Sequence, residues 1–130
     1  RTIVAMPERS PVPAHPETTA ELKLKLPFVL EVDRSIRLLL NRGEASVGRV
    51  AEALGISPRT MQYRLKQNET SYQSLLDIAR IDLALQYMND SDLNGLAISE
   101  RLGFTDAAAF SRFFKKHLKL SPRDYAKRIR

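Results

Sequence analysis

The sequence predicts an all-α protein of about seven helices, arranged as two helix-turn-helix units joined by a long linking helix. Apolar residues recur at helical spacing from Phe28 almost to the C-terminus. Ser-Pro pairs and Leu-Gly pairs punctuate that stretch where helices start and stop. The segment Val50–Ile56 returns as Ile98–Phe104, at an offset of 48 residues. A helical repeat of this size is a pair of similar units sharing one core.

Composition narrows the function. The 130 residues suffice for one ordinary domain, or for two very small ones that share a core. With 43% hydrophobic and 28% charged residues the chain reads as soluble and globular, and no apolar run approaches the ~20 residues of a membrane span. Nothing at the start resembles a signal peptide, so the expected location is the cytoplasm, with no membrane partner. The chain opens on Arg1 and reads as a fragment or a processed product. The absence of cysteine removes disulfides, thiolate nucleophiles and Cys-ligated zinc, and His15 and His117 lack a ligand-spaced partner. No Ser/His/Asp set or paired carboxylate suggests itself, so neither an enzyme nor a cofactor or metal is expected. The net charge of +6 is localised: residues 105–130 hold eight Lys+Arg against two Asp+Glu, while residues 1–104 balance at thirteen each. A polyanion is the natural partner of such a cluster, although a basic terminal helix can also simply be solvated.

Residues 1–27 precede the regular helical pattern, and the stretch to about Pro16 reads as linker. Four prolines in MPERSPVPAHP forbid a regular helix there, and His15 between Ala14 and Pro16 reads as a solvated linker residue. The stretch 17–26 has strand-like alternation at Leu22, Leu24 and Leu26, but a lone strand would lack partners, so a short helix ended by Pro27 is preferred. The helical domain then occupies 28–130, with a first unit at 28–68, the linking helix at 71–88 and a second unit at 93–130.

In the first unit Val29, Val32, Ile36 and Leu39 lie on one face of a helix that ends near Gly43. Ser46 caps a short second helix whose Val47, Val50, Ala51 and Leu54 face the core, and Gly55 stops it by taking a left-handed conformation. Ile56 plugs the turn. Ser57 and Pro58 then cap and start a third helix, in which Met61 and Leu65 point inward and Arg59, Gln62, Tyr63 and Lys66 share an outer face. Any surface helix shows a polar stripe, so this face alone is weak evidence of binding. Its repetition strengthens it.

Between the units, SYQSLLDIARIDLALQYM contains neither proline nor glycine. Tyr72, Leu75, Leu76, Ala79, Leu83 and Tyr87 form one apolar stripe, and Ile78, Ile81, Leu85 and Met88 form another nearly opposite. Burial on two sides is expected, one unit on each stripe. Beyond the turn of the second unit the offset becomes 49, so Met61 matches Phe110, Leu65 matches Phe114 and Lys66 matches Lys115. The second turn is one residue longer, with Thr105 expected as cap and Asp106 in the first helical turn. The outer face there is Ala108, Ser111, Arg112 and Lys115. Phe104, Phe110, Phe113 and Phe114 could stack on bases, but their helical spacing favours the core, and His117 continues that face as a partly buried structural residue. Ser121-Pro122 starts a last helix anchored by Tyr125, leaving its cations to phosphate or solvent.

With these residues in place, LGISPRTMQYRLKQNETSYQSLLDIARIDLAL and LGFTDAAAFSRFFKKHLKLSPRDYAKR resemble the DNA-binding domain of the AraC/XylS transcriptional regulators, over about Phe28 to Arg130. The spacing G-F-x-D-x-x-x-F-S-R-x-F-K followed by S-P-x-x-Y is the more distinctive part. The resemblance implies sequence-specific binding of double-stranded DNA by two recognition helices in successive major grooves, regulating transcription. It also implies an N-terminal sensor domain that would bind any effector, with residues 1–27 as the linker or tail leading from it; RNA polymerase is a further candidate partner. Departures from the family pattern are Glu69 and Lys119 in place of glycine, Ser99 in place of alanine, the bulky Phe113, and Tyr63 where arginine is common. The first two put the turns in question, and Tyr63 brings a base preference of its own.

The expected division of labour follows from chemistry, since phosphate contacts set affinity and base-edge contacts set specificity. Base reading falls to Arg59, Gln62 and Tyr63 in the first unit and to Ala108, Ser111 and Arg112 in the second. Ser57, Lys66, Thr105, Lys115, Lys116, Arg123 and Lys127 are the phosphate candidates, with Arg64 and Lys119 equally at home in solvent. The alternative is a helical protein-interaction module that docks on the transcription machinery through the same stripes.

Overall fold

The computed structural model describes residues 19–129, so the linker reading of the preceding stretch, His15 included, lies outside the described residues. Those residues form seven helices: α1 (Thr19–Asn41), α2 (Val47–Ala53), α3 (Pro58–Gln67), α4 (Tyr72–Asp90), α5 (Gly95–Arg101), α6 (Ala107–Leu118) and α7 (Pro122–Arg128). Helices α1 to α3 make one unit, α5 to α7 the other, and α4 runs between them.

The punctuation acts as its chemistry demands. Ser46, Ser57, Ser71 and Ser121 are N-caps whose hydroxyls accept from the backbone N–H three residues on, each supplying one partner that the first turn lacks. The two Leu-Gly turns are the same motif built twice. In the first, Ile56 N–H donates to Ala51 C=O at 3.1 Å and Gly55 N–H to Glu52 C=O at 3.0 Å. In the second, Phe104 N–H donates to Ser99 C=O at 2.9 Å and Gly103 N–H to Glu100 C=O at 3.2 Å. This double bond closes a helix only if the residue after the C-cap is left-handed, and Gly55 and Gly103 have φ of 74° and 83°. The apolar residue that follows, Ile56 or Phe104, is folded back onto the core.

Four expectations need correction. Pro27 does not end a helix: α1 runs from Thr19 through it to Asn41, which also settles 17–26 in favour of helix from Thr19 onward. Proline's φ is compatible with helix, and the cost of a missing N–H is offset by a long packed segment downstream, where Val32, Ile36, Leu39 and Leu40 are buried. Second, α4 continues two residues past Met88, to Asp90. There Asn89 Nδ2 donates to Leu85 C=O at 2.7 Å and to Tyr125 Oη at 2.9 Å, which gives a polar residue a reason to stay helical. Third, Asp106 rather than Thr105 caps α6, its Oδ1 accepting from Ala109 N–H at 2.7 Å. A carboxylate at that place also faces the positive end of the helix, an advantage threonine lacks.

The fourth concerns the two stripes of α4. Tyr72, Leu75, Leu76, Ala79 and Leu83 are buried as expected, with Tyr87 packed against the core. Of the opposite stripe, Leu85 and Met88 pack partly against the core, whereas Ile78 is 52% exposed. The second unit shares the apolar core with α4 through Ile98, Leu102, Phe110 and Phe114, and polar side chains add to that grip. Asp77 approaches His117 at 3.9 Å, Arg80 reaches the α5–α6 turn, and Asn89 reaches Tyr125 on α7. The first unit is held mainly by α1, which lies along α4. Arg37 of α1 bonds Asp33 at 2.9 Å and Asp82 of α4 at 2.7 Å. Burial alone would lower the Arg37 pKa, but the two carboxylates reverse this and hold it above its usual value. Tyr87 Oη donates to Asn41 Oδ1 at 2.7 Å on the same side.

Glu69 and Lys119 stand where a glycine would be easy, and both take the left-handed conformation, with φ of 60° and 67°. Glu69 completes the double-bonded motif at the end of α3, where Thr70 N–H donates to Leu65 C=O and Glu69 N–H to Lys66 C=O. The turns keep their geometry, and the backbone of two side-chain-bearing residues carries the strain.

Candidate nucleic-acid interface

Helix α3 presents its outer stripe as the spacing predicts. Met61 and Leu65 are fully buried, which fixes the rotation of the helix, and Arg59, Gln62, Tyr63 and Lys66 are all exposed. Tyr63 is 62% exposed. Its hydroxyl accepts a bond from Gln67 Nε2 at 3.1 Å, which leaves the phenolic proton free to point outward. Gln67 was not among the predicted site residues; the signal was its place four residues after Tyr63, where helix side chains meet.

Helix α6 repeats the arrangement with different chemistry. Phe110 and Phe114 are buried, and Ala108, Ser111, Arg112 and Lys115 are exposed. The aromatic residues act as core: ring centroids lie 5.7 Å apart for Phe104 and Phe110, 5.1 Å for Phe104 and Phe113, and 5.9 Å for Phe114 and Tyr125. His117 lies 4.5 Å from the Phe113 ring, on the exposed side of that cluster rather than within it. A groove of about 480 Å³ opens beside α6. It brings Ser111 and Arg123, from the two predicted classes of contact, to one rim, over a floor that includes Ile98 and Phe110.

The phosphate candidates separate on inspection. Lys66, Lys115, Lys116, Arg123 and Lys127 are exposed and make no ion pair among the described residues. The Ser57 hydroxyl, by contrast, accepts from Thr60 N–H at 3.1 Å and donates to Thr60 Oγ1 at 2.9 Å, so its hydrogen bonds are already used. Thr105 is exposed but stands one residue before the cap, beside the Asp106 carboxylate, which would repel an anion at that helix end. Arg64 and Lys119 have structural partners: the Arg64 guanidinium lies 5.4 Å from the centre of the Phe28 ring, and Lys119 Nζ donates to Lys116 C=O at 3.2 Å. Among the described residues no group of three His, Asp or Glu side chains could hold a metal ion, and no helix is long and apolar enough to cross a membrane.

Comparison with known proteins places the same residues in a wider set. A helix-turn-helix domain family model of the AraC type matches residues 50–128. The chain is 38% identical over 91 residues to the ornithine utilization regulator of Pseudomonas aeruginosa, covering 68% of this chain and 27% of that protein. The transcriptional regulator CdpR of the same organism superposes with a TM-score of 0.71 at 28% identity, over 84% of this chain and 34% of that one. The DNA-binding domain of AdpA, solved in complex with a target DNA, shares the fold with a TM-score of 0.62 at 23% identity, over 78% of this chain and 90% of that one. The chain spans about a quarter of the length of the curated relatives it matches.

Proposed function

This chain belongs to the AraC-type helix-turn-helix family, and from that premise we propose that it binds double-stranded DNA sequence-specifically and so regulates transcription. The observation that carries this reading is the duplicated unit: a capped helix, a double-bonded glycine turn and a second capped helix, each time presenting one exposed polar stripe. Helices α3 and α6 then enter successive major grooves about one helical turn apart, on one side of the duplex.

In this reading Arg59, Gln62 and Tyr63 read base edges in one groove, and Ala108, Ser111 and Arg112 in the other. Arginine matches the paired acceptors of guanine, glutamine matches adenine, and the Ala108 methyl suits the thymine methyl. Tyr63, with its oxygen already accepting from Gln67, offers a proton to a base acceptor. Lys66, Lys115, Lys116, Arg123 and Lys127 neutralise phosphates; Ser57 and Thr105 belong to the rim of the contact, through backbone rather than side chain. The first unit supplies more discrimination and the second more electrostatic binding, because the whole excess charge lies in residues 105–130.

Residues 1–27 connect this domain to an N-terminal sensor through which any effector acts, RNA polymerase is the partner on which regulation converges, and the cytoplasm is the place of work. The family and its relatives are transcription regulators.

Selection of bound duplexes from a random pool tests the reading directly. Enrichment of a site with two half-sites one turn apart is expected, followed by a loss of ~1–3 kcal/mol and relaxed preference at one base position for Arg59→Ala. Equal losses of Arg59→Ala on the enriched and on random duplex would remove the base-reading role. Absence of any salt-dependent mobility shift would favour the protein-docking module instead.

A further inference from the structure

Arg80 is a part-buried charged residue of α4, and it touches Leu102 and Phe104 on either side of Gly103 in the turn that leads into α6. Its Nε donates to the Leu102 carbonyl at 3.1 Å. Its guanidinium carbon lies 4.5 Å from the centre of the Phe104 ring. Between these two, Nη2 lies 3.5 Å from the place where a Cβ on Gly103 would stand. Leu102 is the C-cap of α5, and a C-cap carbonyl is one of those a helix end leaves without an internal partner. A planar cation that satisfies this carbonyl while lying over the aromatic plug holds the turn in both direction and distance.

The first unit has nothing equivalent. No side chain hydrogen bonds to the corresponding Leu54 carbonyl among the described residues, and a Cβ on Gly55 would meet no atom within 4 Å. That unit is oriented by the apolar seam of α1 against α4 instead. In the second unit α4 also shares the apolar core, and three of its hydrogen-bonding or charged side chains reach across: Asp77 to His117, Asn89 to Tyr125, and Arg80 to the turn itself. The first two reach the far end of α6 and α7, so Arg80 alone of the three acts on the entry to the second reading helix. Asp77 also lies close enough to Arg80 to favour its charge against the cost of burial.

We propose that Arg80 is a positioning residue for DNA recognition, setting the angle at which α6 is offered to its groove without itself touching DNA. The inference rests on the DNA-binding reading above and adds a residue that lies off both recognition faces. It predicts that loss of the guanidinium uncouples the second half-site from the first while the first is still read normally.

The test uses the 130-residue chain and the duplex most enriched by the wild type, together with two versions of that duplex in which one or the other half-site is scrambled. Arg80→Met keeps the apolar stem and removes the planar cation. Its affinity for the intact duplex is expected to fall about tenfold or more, with scrambling of the second half-site no longer mattering and the penalty for scrambling the first unchanged. Arg80→Lys, which can still reach the Leu102 carbonyl but cannot lie flat on Phe104, should recover part of the second penalty. A general loss of structure would lower both penalties together, and circular dichroism with a melting curve registers it. If Arg80→Met does not fold, Phe104→Leu decides: it keeps an apolar plug, removes the aromatic face and should weaken the second penalty selectively. Both penalties at wild-type values, or equal reductions in a folded variant, overturn the positioning role. Failure of the wild type to enrich any duplex overturns the DNA-binding reading and this inference with it.

Discussion

Replacing Glu69 by glycine should stabilise the protein, and the size of the gain follows from one dihedral angle. Glu69 sits at φ 60° between α3 and α4, held there by the bonds from its own N–H to Lys66 C=O at 2.9 Å and from Thr70 N–H to Leu65 C=O at 3.0 Å. An L-residue pays roughly 1–2 kcal/mol for this conformation, because its Cβ approaches the following carbonyl oxygen. Glycine lacks that Cβ but has more freedom to lose on folding, about 0.4–1 kcal/mol. The difference leaves a net gain of roughly 0.5–1 kcal/mol for Glu69→Gly, worth a few degrees in melting temperature. The Glu69 side chain is exposed and makes no hydrogen bond among the described residues, so nothing else is removed. Urea and thermal unfolding measure the change, with Glu69→Ala as the control that shortens the side chain but keeps the Cβ. Lys119→Gly at φ 67° should gain less, since it also gives up the bond from Lys119 Nζ to Lys116 C=O. The mirror experiment is Gly55→Ala, where an added Cβ meets no atom within 4 Å, so the same balance of backbone strain against unfolded-chain freedom predicts a loss of roughly 0.5–1 kcal/mol. A Glu69→Gly protein no more stable than Glu69→Ala would refute the strain reasoning. DNA affinity should not move, because the turn itself is kept.

Lys116→Ala should weaken binding to all duplexes alike and lower the slope of log affinity against log salt by about one, as a mobility-shift series at several salt concentrations would show. A loss confined to the enriched duplex would instead make Lys116 a reader of bases. Tyr72→Phe should be neutral or stabilising by up to ~1 kcal/mol near neutral pH, since the Tyr72 hydroxyl is buried with no hydrogen-bond partner among the described residues. Burial also raises the Tyr72 pKa above its ordinary value, so the unfolded chain gives up this proton first. Wild-type stability should therefore fall as pH rises past about 10, and the phenylalanine variant should escape that part of the fall in melts taken across the alkaline range. A variant clearly less stable than wild type at neutral pH would mean that the hydroxyl is bonded after all.

The outer stripes of α3 and α6 were legible because the inner ones were. Met61 with Leu65, and Phe110 with Phe114, are four residues apart and apolar, so each pair fixes the rotation of its helix and hence which residues face out. The Asp106 cap is also within reach of the sequence, since the offset of 49 beyond the turn maps Ser57 onto it. Pro27 was misread because local propensity penalises it, while the buried row from Val32 onward, which outweighs the penalty, is a property of the assembled domain. Ile78 was misread because an apolar stripe shows what a helix could bury and says nothing of whether a neighbour arrives.

Sequence by itself determined most of the elements, the repeat and the two candidate reading faces, because each depends on residues within a few turns of one another. Tertiary structure alone decided how the second unit is mounted. Arg80 lies 22 residues before Leu102, and no periodicity connects a cation in the middle of a helix with a carbonyl at the end of another. The same holds for Arg37 and Asp82, 45 residues apart. Such contacts arise only once packing has brought segments distant in the sequence side by side.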